Sequence, residues 1–174
     1  MANHKGSILG NIPNKNQPSQ KYFETLIYEK LNSFNSKKNI WVEAESIKVG
    51  KLSIPSKIWK NMPLGKNVKV ISSLEERVRF ILKDYKYFTN TPTLMKEALN
   101  VLRKIIPKEE FLMIEENLKK EKYFQFVKSL IEYHYDRAYK KTRAESVSNI
   151  FNEIYLDKIN LLNIKKAIKR NNYF

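Results

Sequence analysis

Between residues 20 and 85 the apolar pattern repeatedly changes period, and that alternation limits the fold more than any other feature of the chain. Pro18-Ser19-Gln20 opens a helix whose Tyr22, Phe23, Leu26, Ile27 and Leu31 share one face at helical spacing. Ile40-Trp41-Val42, leading into Glu43-Ala44-Glu45-Ser46, predicts a strand. A turn near Gly50 precedes Ile54-Pro55, which starts a short helix through Ile58, Trp59 and Met62 that Pro63-Leu64-Gly65 breaks. Val68-Lys69-Val70-Ile71 predicts a second strand, and Ser73-x-x-Glu76 is a capping box for a helix carrying Leu74, Val78, Ile81, Leu82 and Tyr85. Helix, strand, helix, strand, helix in that order fits an α/β layer with a parallel sheet.

After residue 90 the strand signals vanish. Thr91-Pro92 reads as an N-cap followed by Pro at the first helical position, with the helix running through Leu94, Ala98, Leu99 and Leu102 towards Ile106. Pro107 starts another helix, with Phe111, Leu112, Ile114 and Leu118. A long helix is expected from Tyr123 to about Lys140, and a further one carrying Val147, Ile150, Phe151 and Ile154. The tail from Ile159 is rich in Lys and Asn, with Leu161, Leu162, Ile164 and Ile168 interspersed. The expected organisation is an α/β domain over residues 1–90 and a helical extension over residues 91–174, without internal repeats.

Charge narrows the partners. The chain holds 33 Lys and Arg against 18 Asp and Glu, a formal +15. Residues 1–90 hold 16 and 7 of these (+9) and residues 91–174 hold 17 and 11 (+6), so the excess is spread along the chain. That suits a polyanion, RNA or DNA before a membrane, and equally a Lys-rich composition without nucleic-acid binding. No cysteine occurs, which removes disulfides, thiolate metal sites and thiolate nucleophiles. No window is apolar enough to span a bilayer and no signal peptide opens the chain, so a cytoplasmic location is expected.

Four groups of residues carry candidate chemistry. His4-Lys5-Gly6-Ser7 offers cationic groups, a hydroxyl and backbone N–H donors suited to a phosphate or another anion. Glu43 and Glu45, with Ser46 beside them, stand at the C-terminal end of a predicted strand, the edge where open α/β sheets bind ligands. Residues i and i+2 share a strand face, so the two carboxylates could hold a water-bridged Mg²⁺ or orient a nucleophile, although spacing alone favours a cap or ion pair at the strand end. Arg77, close to Glu75 and Glu76, reads as an ion-pair face or as a phosphate-binding Arg. On the long helix His134, Tyr135, Asp136 and Tyr139 lie near Lys140, Lys141 and Arg143; Tyr135 and Tyr139 share a face with Ile131, which fits core packing or stacking on RNA bases. The only glycines are Gly6, Gly10, Gly50 and Gly65, so no G-x-x-x-x-G-K-[ST] phosphate loop is present; nor is a zinc cluster or a nucleophile elbow.

Five segments, in order, resemble the C-terminal P-loop-type half of tRNA 2-selenouridine synthase. The family's L-A-x-H-[RK]-G-S-x-[FL]-G corresponds to Ala2–Gly10, and its Q-P-[ST]-Q and following F-E to Gln17–Gln20 and Phe23-Glu24. V-E-x-E-S, I-G and an I/L-P step correspond to Val42–Ser46, Val49-Gly50 and Ile54-Pro55. L-E-E-R-V corresponds to Leu74–Val78, and H-Y-D-P-x-Y to His134–Tyr139. Lys5 stands where Arg is common, which keeps the charge and loses the bidentate fork, and Arg137 replaces a proline that would bend the helix. The resemblance ends near residue 143.

The resemblance implies a partial P-loop-type sheet of about two to three parallel strands. It implies replacement of the 2-thio group of a wobble uridine in tRNA by selenium from selenophosphate, through an intermediate geranylated from geranyl diphosphate. His4, Lys5, Gly6, Ser7 and Arg77 would line the anion site, with Glu43, Glu45 and Ser46 at its edge. No bound cofactor and no metal is expected. The family's P-loop and its rhodanese-like cysteine domain precede these segments, so a split or truncated enzyme is expected, with a companion chain supplying both. The residues by themselves also admit a non-enzymatic basic RNA-binding module, or a remnant of a small-molecule kinase-like domain.

Overall fold

Ser19 caps the first helix as its position predicts: its Oγ accepts from the Tyr22 N–H at 3.3 Å, and α1 runs Gln20–Asn32. The computed structural model describes residues 1–43, 46–139 and 150–170. They fall into two compact units, one over Met1–Lys66 and one beginning at Asn67.

The first unit holds α1, a two-residue-per-strand hairpin of β1 (Lys48–Val49) and β2 (Leu52–Ser53), and α2 (Ser56–Asn61) followed by a 3₁₀ turn at Met62–Leu64. Gly50 turns the hairpin at φ +63°, a conformation side chains with a Cβ rarely adopt. Its fully buried apolar side chains, among the described residues, are Phe23 and Leu52. The expected apolar face of α1 is therefore covered only at its centre, since Tyr22 and Leu31 are exposed. The strand expected at Ile40–Ser46 does not form over residues 40–43, and Ala44 and Glu45 lie outside the described residues. No described strand pairs with this segment, and β-forming residues gain from extension only within a ladder. Ile40, Trp41 and Val42 remain 47%, 47% and 58% exposed.

The second unit starts with β3 (Asn67–Ile71), followed by α3 (Leu74–Asp84), α4 (Lys86–Thr89), α5 (Pro92–Leu102), α6 (Lys108–Lys119) and α7 (Tyr123–Leu130). A π turn at Ile131–Tyr135 continues α7, and residues 136–139 are helical beyond it. Then come β4 (Ile150–Tyr155) and α8 (Leu161–Arg170). Ser73 Oγ accepts from the Glu76 N–H at 3.2 Å, which is the first half of the capping box. The Glu76 carboxylate does not close the box; its Oε1 accepts from the Ile159 N–H at 2.8 Å and ties α3 to the chain leading into α8. Thr91 likewise precedes its helix without capping it, its Oγ1 donating to the Tyr87 carbonyl at 2.9 Å.

β3 and β4 pair in parallel, with Val68 opposite Asn152, Lys69 opposite Glu153, Val70 opposite Ile154 and Ile71 opposite Tyr155. The chain is thus α/β with a two-stranded parallel sheet, as expected, but the second strand comes from the segment expected to be a helix around Ile150 and Ile154. A short apolar run fits either period. Here the unpaired backbone of β3 decides, because it offers a ladder that a helix would leave unmade. Alternation is visible once the strand is drawn: Ile154 and Leu156 are buried, and Tyr155 between them is 70% exposed. Lys69 Nζ meets Glu153 at 3.1 Å across the pair. The helices supply the core: Val78, Leu102, Ile114 and Ile131 are essentially inaccessible, each worth about 1.5–3 kcal/mol of burial. Through them α3 and α6 pack on α7.

Candidate functional site

The Ala2–Gly10 segment forms a tight loop closed on a histidine ring. His4 and Asn11 face each other as an antiparallel bridge, and the Lys5 N–H donates to the Gly10 carbonyl at 2.9 Å. The Gly10 N–H donates to the Ser7 carbonyl at 2.8 Å. His4 Nδ1 accepts from the Gly6 N–H at 3.0 Å, so in this geometry Nδ1 carries no proton. Burial also lowers the His4 pKa below its ordinary value. A Cβ on Gly10 would sit 2.6 Å from His4 Cε1, and one on Gly50 2.8 Å from His4 Cδ2. Two glycines therefore let backbone lie against either edge of the imidazole. The His4 of the sequence motif is a neutral packing and positioning group here rather than a cation. The cationic group of the motif is Lys5; Gly6 is exposed at φ +83°, with nothing within 4 Å of where a Cβ would stand.

Glu43 lies in the irregular exposed segment rather than on the expected strand, and Glu45, with which it was expected to share a face, is outside the described residues. Ser46 Oγ accepts from the Lys48 N–H at 3.1 Å and so shapes the entry to the hairpin.

In the second unit two motif segments, far apart in sequence, meet. Arg77 Nη1 and Nη2 reach Asp136 Oδ2 and Oδ1 at 3.1 and 2.5 Å, a bidentate pair with both side chains about one-third exposed. Arg77 thus pairs with Asp136 rather than with its helix neighbours Glu75 and Glu76. Asp136 closes the π turn: its N–H donates to the Ile131 carbonyl, five residues back instead of four. His134 packs edge-on against Tyr135 at 4.9 Å, and Tyr135 stacks on Tyr139 at 6.4 Å. Burial lowers the His134 pKa. Arg137 does not interrupt the helix as a proline would; Nη1 contacts Glu110 at 2.8 and 3.0 Å. Lys140, Lys141 and Arg143 lie outside the described residues.

A family model described as the tRNA 2-selenouridine synthase AAA domain matches residues 1–163. The chain belongs to that family. No curated protein and no solved structure matches it. The tRNA 2-selenouridine synthase match takes in both loop and helix clusters and β4, and extends past residue 143, where the resemblance of the motifs ends. It gives the chain a role in tRNA modification.

The Gln17-Pro18-Ser19-Gln20 segment holds the residues that motif reading left without a role. Gln17 Nε2 donates to the Val49 carbonyl at 2.8 Å and the Ala2 carbonyl at 3.2 Å, while its Oε1 accepts from the Lys51 N–H at 2.8 Å. Gln20 repeats the device one strand on, donating to the Ser53 carbonyl at 2.8 Å and accepting from its N–H at 2.9 Å. Each side-chain amide thus serves a backbone N–H and a backbone carbonyl of the hairpin, as a neighbouring strand would, and Gln17 also holds the Ala2 carbonyl. A pair of glutamines flanking Pro-Ser was the available signal. Among the described residues, no cluster of His, Asp or Glu is placed to hold a metal ion, and no helix is long and apolar enough to cross a membrane.

Proposed function

We propose that the chain is the P-loop-type part of a tRNA 2-selenouridine synthase, a cytoplasmic transferase component that contributes tRNA and diphosphate binding. The reaction is replacement of sulfur by selenium in a wobble 2-thiouridine, through a geranylated intermediate. The observation that supports this best is the bidentate Arg77–Asp136 pair, which joins two family segments 59 residues apart. A chain that merely kept a basic composition has no reason to keep that junction.

Forming the sulfur–geranyl bond breaks the bond from carbon to the diphosphate oxygen, and negative charge grows on the departing diphosphate. Cations and fixed N–H donors at that point lower the barrier. Lys5 and Ser7, on the loop that neutral His4 shapes, fill that role in this reading. Arg77, engaged with Asp136, is a positioning residue. Tyr135 and Tyr139 offer ring faces for a base, and the excess of Lys and Arg meets the tRNA phosphates. A companion carrying the P-loop and the rhodanese-like cysteine supplies the selenium step.

The test is reconstitution of the chain with such a companion, 2-thiouridine tRNA, geranyl diphosphate and selenophosphate, followed by nucleoside mass spectrometry. Chain-dependent 2-selenouridine is expected, falling about tenfold or more in Lys5→Ala/Ser7→Ala. Unchanged tRNA in a mixture where the chain binds it would leave the second reading, a non-enzymatic RNA-binding module. The +15 charge together with the absence of cysteine favours that alternative.

A further inference from the structure

The family match ends at residue 163, inside α8, yet the helix continues as a regular element to Arg170. Its start is well made: Asn160 Oδ1 accepts from the Asn163 N–H at 2.8 Å, and the preceding Ile159 N–H is held by Glu76. Residues 158–174 contain Lys158, Lys165, Lys166, Lys169 and Arg170 and no Asp or Glu, a third of the net charge in a tenth of the chain.

Beyond its first turn, where Leu161 and Leu162 are exposed, the helix divides these residues into two sides. Asn163, Ile164, Ala167 and Ile168 are half-buried, and Lys165, Lys166, Lys169 and Arg170 are exposed. Lys165 with Lys169, and Lys166 with Arg170, are each four residues apart. They form two short rows with a rise of about 6 Å between members, the scale on which successive phosphates follow one another along a nucleic-acid strand. Among the described residues none of the four makes an ion pair, although other lysines of this unit do, Lys69 with Glu153 and Lys119 with Glu115. Placing Lys169 and Arg170 in the last turn suits the helix dipole. That accounts for two of the four cations, but not for Lys165 and Lys166 or for the lack of any acid. Insertion into a lipid surface would need a continuous apolar side of the helix, and Ile164, Ala167 and Ile168 are half-buried, which leaves only Leu161 and Leu162 of the first turn exposed.

We infer that the outer face of α8, carrying Lys165, Lys166, Lys169 and Arg170, is a phosphate-backbone contact for RNA that lies largely outside the region shared with the family. The inference rests on the tRNA-binding part of the proposed function. It assigns phosphate contacts, which set orientation and affinity, and no base recognition.

The experiment measures affinity of the full chain for an unmodified tRNA transcript between 50 and 300 mM KCl. It compares the chain with K165Q/K166Q/K169Q/R170Q and with a control, K21Q/K30Q/K57Q/K60Q, which removes as much charge from exposed positions of the first unit. Glutamine keeps helix propensity, and circular dichroism confirms that each variant is folded. The α8 variant is expected to bind about tenfold or more weakly near 150 mM salt, with a log–log salt slope shallower by about 1.5–3, and the control to stay within about threefold. Equal losses in both variants would overturn the inference in favour of diffuse charge. So would unchanged tRNA binding in an α8 variant that loses affinity for phosphatidylserine vesicles. A wild-type chain that fails to bind tRNA would instead overturn the proposed function, and this inference with it.

Discussion

Replacing Gly50 by alanine probes whether the first unit is held by side-chain amides rather than by a core. At φ +63° an alanine costs about 1–2 kcal/mol. The new Cβ would stand 2.3 Å from Gln17 Oε1 and 2.8 Å from His4 Cδ2, so the Gln17 amide must leave. Its departure breaks the contacts to the Val49 carbonyl and the Lys51 N–H, both 2.8 Å, at about 1 kcal/mol each. The sum is about 3 kcal/mol, as large as the gain from fully burying one large apolar side chain. The first unit has two such side chains among the described residues, Phe23 and Leu52, so it has little to absorb the loss. Local opening is expected: amide hydrogen exchange at Lys51, followed by NMR, should accelerate about 100-fold while the Ile114 amide in the second unit is unchanged. Gln17→Ala should cost about 2 kcal/mol on its own. Combined with Gly50→Ala it should add only the backbone strain and the adjustment to His4 Cδ2, a coupling of about 2 kcal/mol, because the nearer clashing group, the Gln17 amide, is already gone. Exchange at Lys51 within threefold of wild type in Gly50→Ala, or strict additivity in the double variant, would refute the argument.

Two further outcomes follow from the described geometry. Ile154→Ala should lower stability by about 2–4 kcal/mol in thermal or urea unfolding, while Tyr155→Ala stays within about 1 kcal/mol; comparable losses at both sites would contradict the strand. His4 and His134 should both titrate below 6.5 by NMR, since burial disfavours their charged forms. The unfolded chain then takes up more protons, so stability is complete above about pH 6.5 and falls as pH drops from there towards the folded pKa values. A stability that stays flat from pH 7 to 5 in wild type, and matches that of His4→Gln, would exclude the linkage.

Motif reading in the sequence picked out the segments of Arg77 and of Asp136 but not their meeting, since each segment is local and the contact between them is not. The Ser19 and Ser73 caps and the elements β3, α3 and α6 could be read directly, because N-caps and helical spacing are local interactions within a few residues. Gly50 could be read as a turn, but its neighbours Gln17 and His4 could not, because they come from more than thirty residues away. Glu76 carried a correct local signal, yet its carboxylate went to Ile159, a competitor that no local pattern reveals.

By itself the sequence determined the α/β class, the basic surface, the absence of thiol chemistry and the family segments. Only the tertiary structure decided which apolar run became a strand. Ile150–Tyr155 found the ladder of β3 and extended, while Ile40–Val42, with stronger β-forming residues, joins no described strand pair. Strand formation depends on backbone groups being met by another segment, and that second segment is a property of the whole chain rather than of the run itself.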